Sequence, residues 1–89
     1  MNLTQTTVDT FRVGHGTATE TAQPIVAATR KSYKGISIRC LTGTVFIGPH
    51  NVTVDSGYEL PAGTELLVPV ENPSTVYVVG SGAYSWISV

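Results

Sequence analysis

Residues 36–49 read Ile36-Ser37-Ile38-Arg39-Cys40-Leu41-Thr42-Gly43-Thr44-Val45-Phe46-Ile47-Gly48-Pro49, and they decide the fold class. Ile36, Ile38 and Cys40 alternate with Ser37 and Arg39. A period of two places the first set on one face of an extended chain and the second set on the other. Thr42-Gly43 turns the chain, Val45-Phe46-Ile47 supplies a second short apolar run, and Gly48-Pro49 ends it. Two such runs so close in sequence predict a β-hairpin.

The same signature continues on both sides. Toward the C-terminus, Asn51 to Val54 predicts another short strand and Asp55-Ser56-Gly57 a turn. Tyr58-Glu59-Leu60 follows, ended by Pro61-Ala62-Gly63. The stretch from Glu65 to Val70 places Leu66, Val68 and Val70 on one face and Pro69 on the other. A proline cannot donate to a sheet ladder, so this strand belongs at an edge or beside a bulge. Asn72-Pro73-Ser74 turns the chain, Val76 to Val79 forms a strand, and Gly80-Ser81-Gly82 is a tight turn. In the closing run AYSWISV, Tyr84 and Trp86 face one way and Ile87 and Val89 the other. Apolar groups on both faces predict a strand buried on two sides, one of them by a neighbouring subunit.

Toward the N-terminus, the loop from Arg30 to Lys34 is basic around Tyr33 and closed by Gly35. Ala27-Ala28-Thr29 is the one stretch suited to a helical turn. Pro24 marks an edge or a strand start. Thr17, Thr19 and Thr21 alternate with Ala18, Glu20 and Ala22, as in an edge strand with one wet face. Gly14-His15-Gly16 reads as a turn, and Phe11-Arg12-Val13 as a short strand or anchor. Residues 1–10 are polar, Thr-rich and free of aromatics, which predicts an extended N-terminal arm. About seven or eight short strands follow, with no helical stripe. The expected fold is therefore all-β: a single small β-sandwich or jelly-roll-like barrel over residues 11–89.

Composition narrows the function. Hydrophobic residues make up 42% of the 89, so the chain can build a core. A domain of this size nonetheless buries a smaller share of its surface than a large one, and self-association or docking is an ordinary remedy. Charged residues are only 12%, about half the usual share of roughly 25%. Such a surface suits contact, although a Thr/Ser-rich surface also stays soluble through its hydroxyls. The net charge of −1 gives no global reason to bind nucleic acid. Residues 1–40 carry all five basic groups and two acids, while residues 41–89 carry four acids and no Lys or Arg. That segregation serves head-to-tail contact or steering onto a charged partner, or it vanishes if the two halves interleave in the fold. The single Cys40 excludes an intrachain disulfide and a Cys-based zinc site, and its place in an alternating strand predicts a buried thiol. The first 25 residues lack the pattern of a signal peptide, and no apolar run approaches the ~20 residues of a membrane helix, so synthesis in a cytoplasm is expected.

The residues of chemistry are sparse. His15 and His50 stand 35 positions apart beside Gly or Pro, without the further ligands zinc requires. Gly-x-Ser-x-Gly is absent. Paired carboxylates would need two of Asp55, Glu59, Glu65 and Glu71 to face one cleft. Arg30, Lys31 and Lys34 around Tyr33 have the composition of a phosphate-contacting loop, but three charges are few. Tyr58, Tyr77, Tyr84 and Trp86 would serve as a platform for sugars, or equally as core and interface residues. No catalytic, cofactor or metal residue is assigned. The candidate interface residues are Phe11, Arg30, Lys31, Tyr33, Lys34, Tyr84 and Trp86.

The stretches KGISIRC (34–40), GTVFIGPHNVTVDSGYEL (43–60), PAGTELLVPVEN (61–72) and VYVVGSGAYSWISV (76–89) resemble small structural proteins of tailed-bacteriophage virions. In that family a similar strand opening on Lys-Gly is followed by a "V-aromatic-apolar-G" strand and a closing hairpin with a Tyr. The resemblance covers residues 34–89 and brings no active-site residues. It implies a capsid decoration (cement) protein, a head-fibre base or a tail-associated β-domain, folded as a jelly roll or sandwich. It also implies the major capsid protein as partner, a homo-oligomer (a trimer above all) and a place on the virion surface. A carbohydrate-binding or tail-associated adhesion module is the alternative.

Overall fold

The computed structural model describes residues 11–26 and 34–88. Eight strands run in chain order: β1 (Arg12–Thr17), β2 (Gln23–Pro24), β3 (Ile36–Cys40), β4 (Thr44–Gly48), β5 (Tyr58–Pro61), β6 (Glu65–Val68), β7 (Tyr77–Gly80) and β8 (Ala83–Ser88). They form two four-stranded antiparallel sheets. Sheet A has the order β1-β8-β3-β6 and sheet B the order β2-β7-β4-β5. Innermost in the chain is the pair β4–β5, and around it nest β3–β6, β2–β7 and β1–β8. One long folded-over hairpin wound across two sheets in this way is an eight-stranded jelly roll. The all-β expectation is met, in its jelly-roll form.

Every connection except β4–β5 leaves one sheet for the other. This corrects the reading of residues 36–48 as a hairpin: β3 and β4 share no ladder, and Leu41–Gly43 carries the chain from sheet A to sheet B. Both outcomes need a short Gly-containing turn, and what separates them is where each strand's apolar face must go. Ile36, Ile38 and Cys40 face Val45 and Ile47 across the core, so the two runs cover each other instead of lying side by side. The three short crossings are stitched together by backbone bonds. Cys40 N–H donates to Thr64 O (3.0 Å), Leu41 N–H to Ala83 O (2.8 Å), Ala62 N–H to Gly43 O (3.1 Å) and Ser81 N–H to Thr44 O (3.1 Å).

Between the sheets lie Ile36, Ile38, Cys40 and Tyr84 of sheet A, against Val45, Ile47, Leu60 and Val78 of sheet B, closed by Ala18, Ile25, Val26 and Val76. Ile36, Ile38 and Val45 have no exposed surface, and each such side chain contributes roughly 1.5–3 kcal/mol by leaving water. Cys40 is equally buried, and its thiol points to the carbonyls of Thr42 (3.3 Å) and Gly43 (3.6 Å). The prolines behave as read. Pro24 lies in the edge strand β2, and Pro69 follows β6, the other sheet's edge.

Two further local readings are corrected, and the last strand keeps one face open, as burial by a neighbouring subunit would require. Gly14-His15-Gly16 is no turn but the middle of β1, which ends at Thr17 where an edge strand was expected to begin. The two glycines are required by β8. Gly14 lies opposite Trp86 and Gly16 opposite Tyr84. A Cβ on Gly14 would come within 2.6 Å of the indole, and one on Gly16 within 2.7 Å of the Tyr84 hydroxyl. The rings therefore occupy the space that side chains on β1 would fill. Asn51–Val54 forms no strand. Thr53 Oγ1 accepts from the N–H groups of Asp55 (3.3 Å) and Ser56 (3.2 Å), and Ser56 Oγ accepts from Thr53 N–H (3.0 Å). Hydroxyls that satisfy the backbone locally outcompete the ladder. The last strand has only its Tyr84 and Trp86 face packed within the chain, while Ile87 on the other face is exposed. The expected arm (residues 1–10), the possible helical turn at 27–29 and most of the basic loop lie outside the described residues.

Candidate protein interface

The two outer faces differ. On sheet B, the segment between β4 and β5 folds back over the sheet. Val52 there is buried, Gly57 approaches Phe46, and Val79 on the outer side of β7 is only 2% exposed. Among the described residues nothing comparable covers sheet A. Its outward positions fall into two cross-strand rows fixed by the register. Val13, Ile87, Ser37 and Leu67 form the first, from β1 through β8 and β3 to β6. His15, Ser85, Arg39 and Glu65 form the second, in the same strand order.

The first row is apolar and wet: Val13 is 66% exposed, Leu67 55% and Ile87 37%. The second row sets a cation beside an anion, since Arg39 and Glu65 are direct cross-strand neighbours. Glu65 Oε2 accepts from Ser37 Oγ at 3.3 Å, and Arg39 forms no ion pair with a described residue. Serines occupy the middle, so the face dips into a shallow depression of about 600 Å³, rimmed by His15, Arg39, Glu65 and Ile87. Such a surface offers apolar contact area, one balanced charge pair and a recess for a larger side chain. Isolated exposed apolar residues are ordinary on a protein surface, but three in one register row make a candidate contact patch.

The candidate residues are placed as follows. Phe11 is 49% exposed immediately before β1, and Lys34 is exposed just ahead of β3. Both sit at the end of sheet A where Arg12, Ser88 and Ile36 pair. Tyr84 is 6% exposed and belongs to the core, and Trp86 is half-buried against it on the inner face. Tyr84 therefore presents little to a partner, whereas Trp86 keeps part of its surface open beside the depression. Arg30, Lys31 and Tyr33 lie outside the described residues. The four aromatic residues weighed as a sugar platform do not assemble: Tyr84 and Trp86 belong to sheet A, Tyr58 and Tyr77 to sheet B. Tyr77 instead meets His50 edge-on, with ring centroids 6.4 Å apart. His15 is on sheet A, away from His50, and Glu59 and Glu65 lie on different sheets. Among the described residues no three His, Cys, Asp or Glu side chains group as metal ligands would.

The face built by Val13, Leu67, Ile87, Arg39 and Glu65 escaped sequence reasoning. Alternation in β3 and β8 marks Ser37, Arg39 and Ile87 as turned away from the core, but only the register shows them in line with β1 and β6. The register also resolves the charge segregation. In sheet A the strands from the basic half alternate with strands from the acidic half, which brings Arg39 beside Glu65. No protein-family model matches the chain, and neither a curated protein nor a solved structure matches it.

Proposed function

We propose that this chain is a non-enzymatic structural protein of a tailed-phage virion, a decoration protein that binds the assembled head as an oligomer. The observation that carries the contact role is the outer face of sheet A, which no described residue covers and where Val13, Ile87 and Leu67 are exposed on a chain with few charges. Apolar surface of this kind gains free energy when a protein partner removes it from water. The likeness of residues 34–89 to small virion proteins names the class of partner, the major capsid protein. A jelly roll is compatible with that role but also hosts sugar-binding and enzymatic proteins, so the fold alone does not select it.

Decoration is served by weak contacts in many copies. An oligomer that touches several capsid sites gains effective affinity through simultaneous contact. Because it binds the closed shell and not its dissociated parts, it stabilises the shell by mass action. The test is addition of the purified protein to phage heads that lack it. The proposal expects the protein to co-sediment with the heads at a fixed copy ratio and to raise the temperature at which they open. Heads that sediment without it at saturating concentration refute the proposal. Specific binding to host surface glycans in their place would favour an adhesion module.

A further inference from the structure

We propose that the outer face of sheet A is a two-fold contact between two copies of this chain, with β1 of one copy lying over β6 of the other. This rests on the functional reading above but narrows what its contact face does: the face meets a second copy and makes the oligomer, and the capsid meets other surfaces. The two rows set the pairing. A two-fold axis in the plane of the contact, parallel to the strands and midway between β8 and β3, reverses each row onto itself. Val13 then lies over Leu67 of the second copy, apolar on apolar. Ile87 lies over Ser37 and Arg39 over Ser85, so that each large side chain meets a small one. His15 lies over the Glu65 carboxylate, a donor over an acceptor. All four pairings follow from one operation on the register, and each occurs twice, as an isologous contact requires.

The other in-plane axis, perpendicular to the strands, pairs the face less well: run along the apolar row, it stacks Val13, Ile87 and Leu67 each on its own copy but carries His15 away from Glu65. Run between the two rows, it sets Val13 over His15 and Ile87 over Ser85, so the apolar row meets the polar one. Either axis keeps the strands of the two sheets aligned, the usual arrangement for sheets packed face to face ~10 Å apart, so the side-chain pairing decides between them. The charge pattern argues against a partner of one charge sign. Arg39 and Glu65 are neighbours, so any such partner is repelled by one of them, whereas a second copy sets His15 over Glu65 and the neutral Ser85 over Arg39. Four strands ~4.8 Å apart and four to six residues long cover roughly 330 Å² per copy in projection. Twice that area falls below the ~1,000 Å² total of a stable interface, so the contact is weak and association depends on concentration.

Sedimentation velocity on the full chain, from micromolar to near-millimolar concentration, tests the contact. The weight-average mass should rise toward twice the 9.4 kDa of one chain. The Leu67→Glu variant should weaken dimerisation at least about tenfold, and Glu65→Lys should weaken it as well. Combining Glu65→Lys with His15→Glu restores a donor over an acceptor and should recover most of the loss. Val54→Glu, a substitution at a 50% exposed apolar residue beside sheet B, should leave the dimer intact. Near-UV dichroism of Trp86 reports whether each variant is folded, and Val13→Glu replaces Leu67→Glu if that variant is not. A wild type that stays monomeric throughout, a mass of three chains, or a dimer indifferent to both Leu67→Glu and Glu65→Lys overturns the proposal. A dimer that never binds heads would refute the functional reading alone, and a monomer that binds them would refute the pairing and the oligomeric part of that reading while leaving capsid binding in place.

Discussion

Replacing Gly14 with alanine tests whether β1 is shaped by the aromatic residues of β8. The added Cβ would lie 2.6 Å from Trp86 Cζ2, 2.7 Å from Cε2 and 2.8 Å from Nε1, where non-bonded carbons normally sit about 3.5–4.0 Å apart. The indole must therefore move by roughly 1 Å. It cannot move freely, because it packs on the core and lies cross-strand from Ile38. Overpacking of this kind costs about 1–3 kcal/mol. Alanine offsets about 0.4–1 kcal/mol of that by restricting the unfolded chain. A net loss of roughly 1–2 kcal/mol remains, against a total of about 4–13 kcal/mol expected for a chain of this length. The thermal midpoint should fall by about 4–16 °C. Urea unfolding followed by far-UV dichroism measures the loss in Gly14→Ala, Trp86→Phe and the double variant. Phenylalanine lacks the distal atoms that clash, so the alanine should cost at least ~0.5 kcal/mol less in that background. A Gly14→Ala protein as stable as the wild type, or an equal cost in both backgrounds, would refute the reasoning.

The remaining predictions concern other single positions. Gly80 has φ +140° with the Thr44 carbonyl 2.6 Å from its would-be Cβ, whereas Gly63 has φ +88° and open space. Gly80→Ala should therefore cost at least ~3 kcal/mol and Gly63→Ala about 1 kcal/mol in urea unfolding, and equal costs would contradict the geometry. Burial raises the Tyr84 phenol above its ordinary 10.0, so the unfolded chain ionises there before the folded one does. Its contribution is fully present below pH 10.0 and is lost as pH rises through the raised value. Thermal midpoints should fall less steeply above that pH in Tyr84→Phe than in the wild type, and parallel profiles would count against the assignment. Cys40 has no exposed surface, so a thiol reagent should modify it only at the rate of unfolding. Rapid stoichiometric modification of the folded protein would show the site to be open.

Much of this fold is legible in the sequence because alternation is a local property. The burial of Ile36, Ile38 and Cys40 on one side of β3 follows directly from their spacing. The edge positions of β2 and β6 follow from a proline's missing donor. Strand partners are not local. Residues 41–43 read as the turn of a hairpin because a crossing between sheets uses the same short Gly-containing segment. Thr53 and Val54 carry strand propensity, yet the Thr53 and Ser56 hydroxyls close a turn there. Gly14 and Gly16 show the same limit from the other side. Glycine ordinarily punctuates a chain, and here it makes room for rings contributed some 70 residues later.

The candidate site was less legible than the fold. Size and apolarity nominated Tyr84 and Trp86, but in a sheet the same qualities fill a core, and both turn inward. The contact face depends instead on Val13, Leu67 and Ile87, unremarkable singly, which come into line only when β1 and β6 bracket β8 and β3. Arg39 and Glu65 likewise come from oppositely charged halves of the chain and meet only through the register.

The central claim is that this chain belongs to a phage particle and acts there by contact. Immunogold electron microscopy on gradient-purified particles of the phage that encodes it, with antibody to this protein, tests that claim most directly. The account predicts label spread regularly over the heads. Particles that carry no label, intact or after the shell is opened to expose covered epitopes, would contradict it.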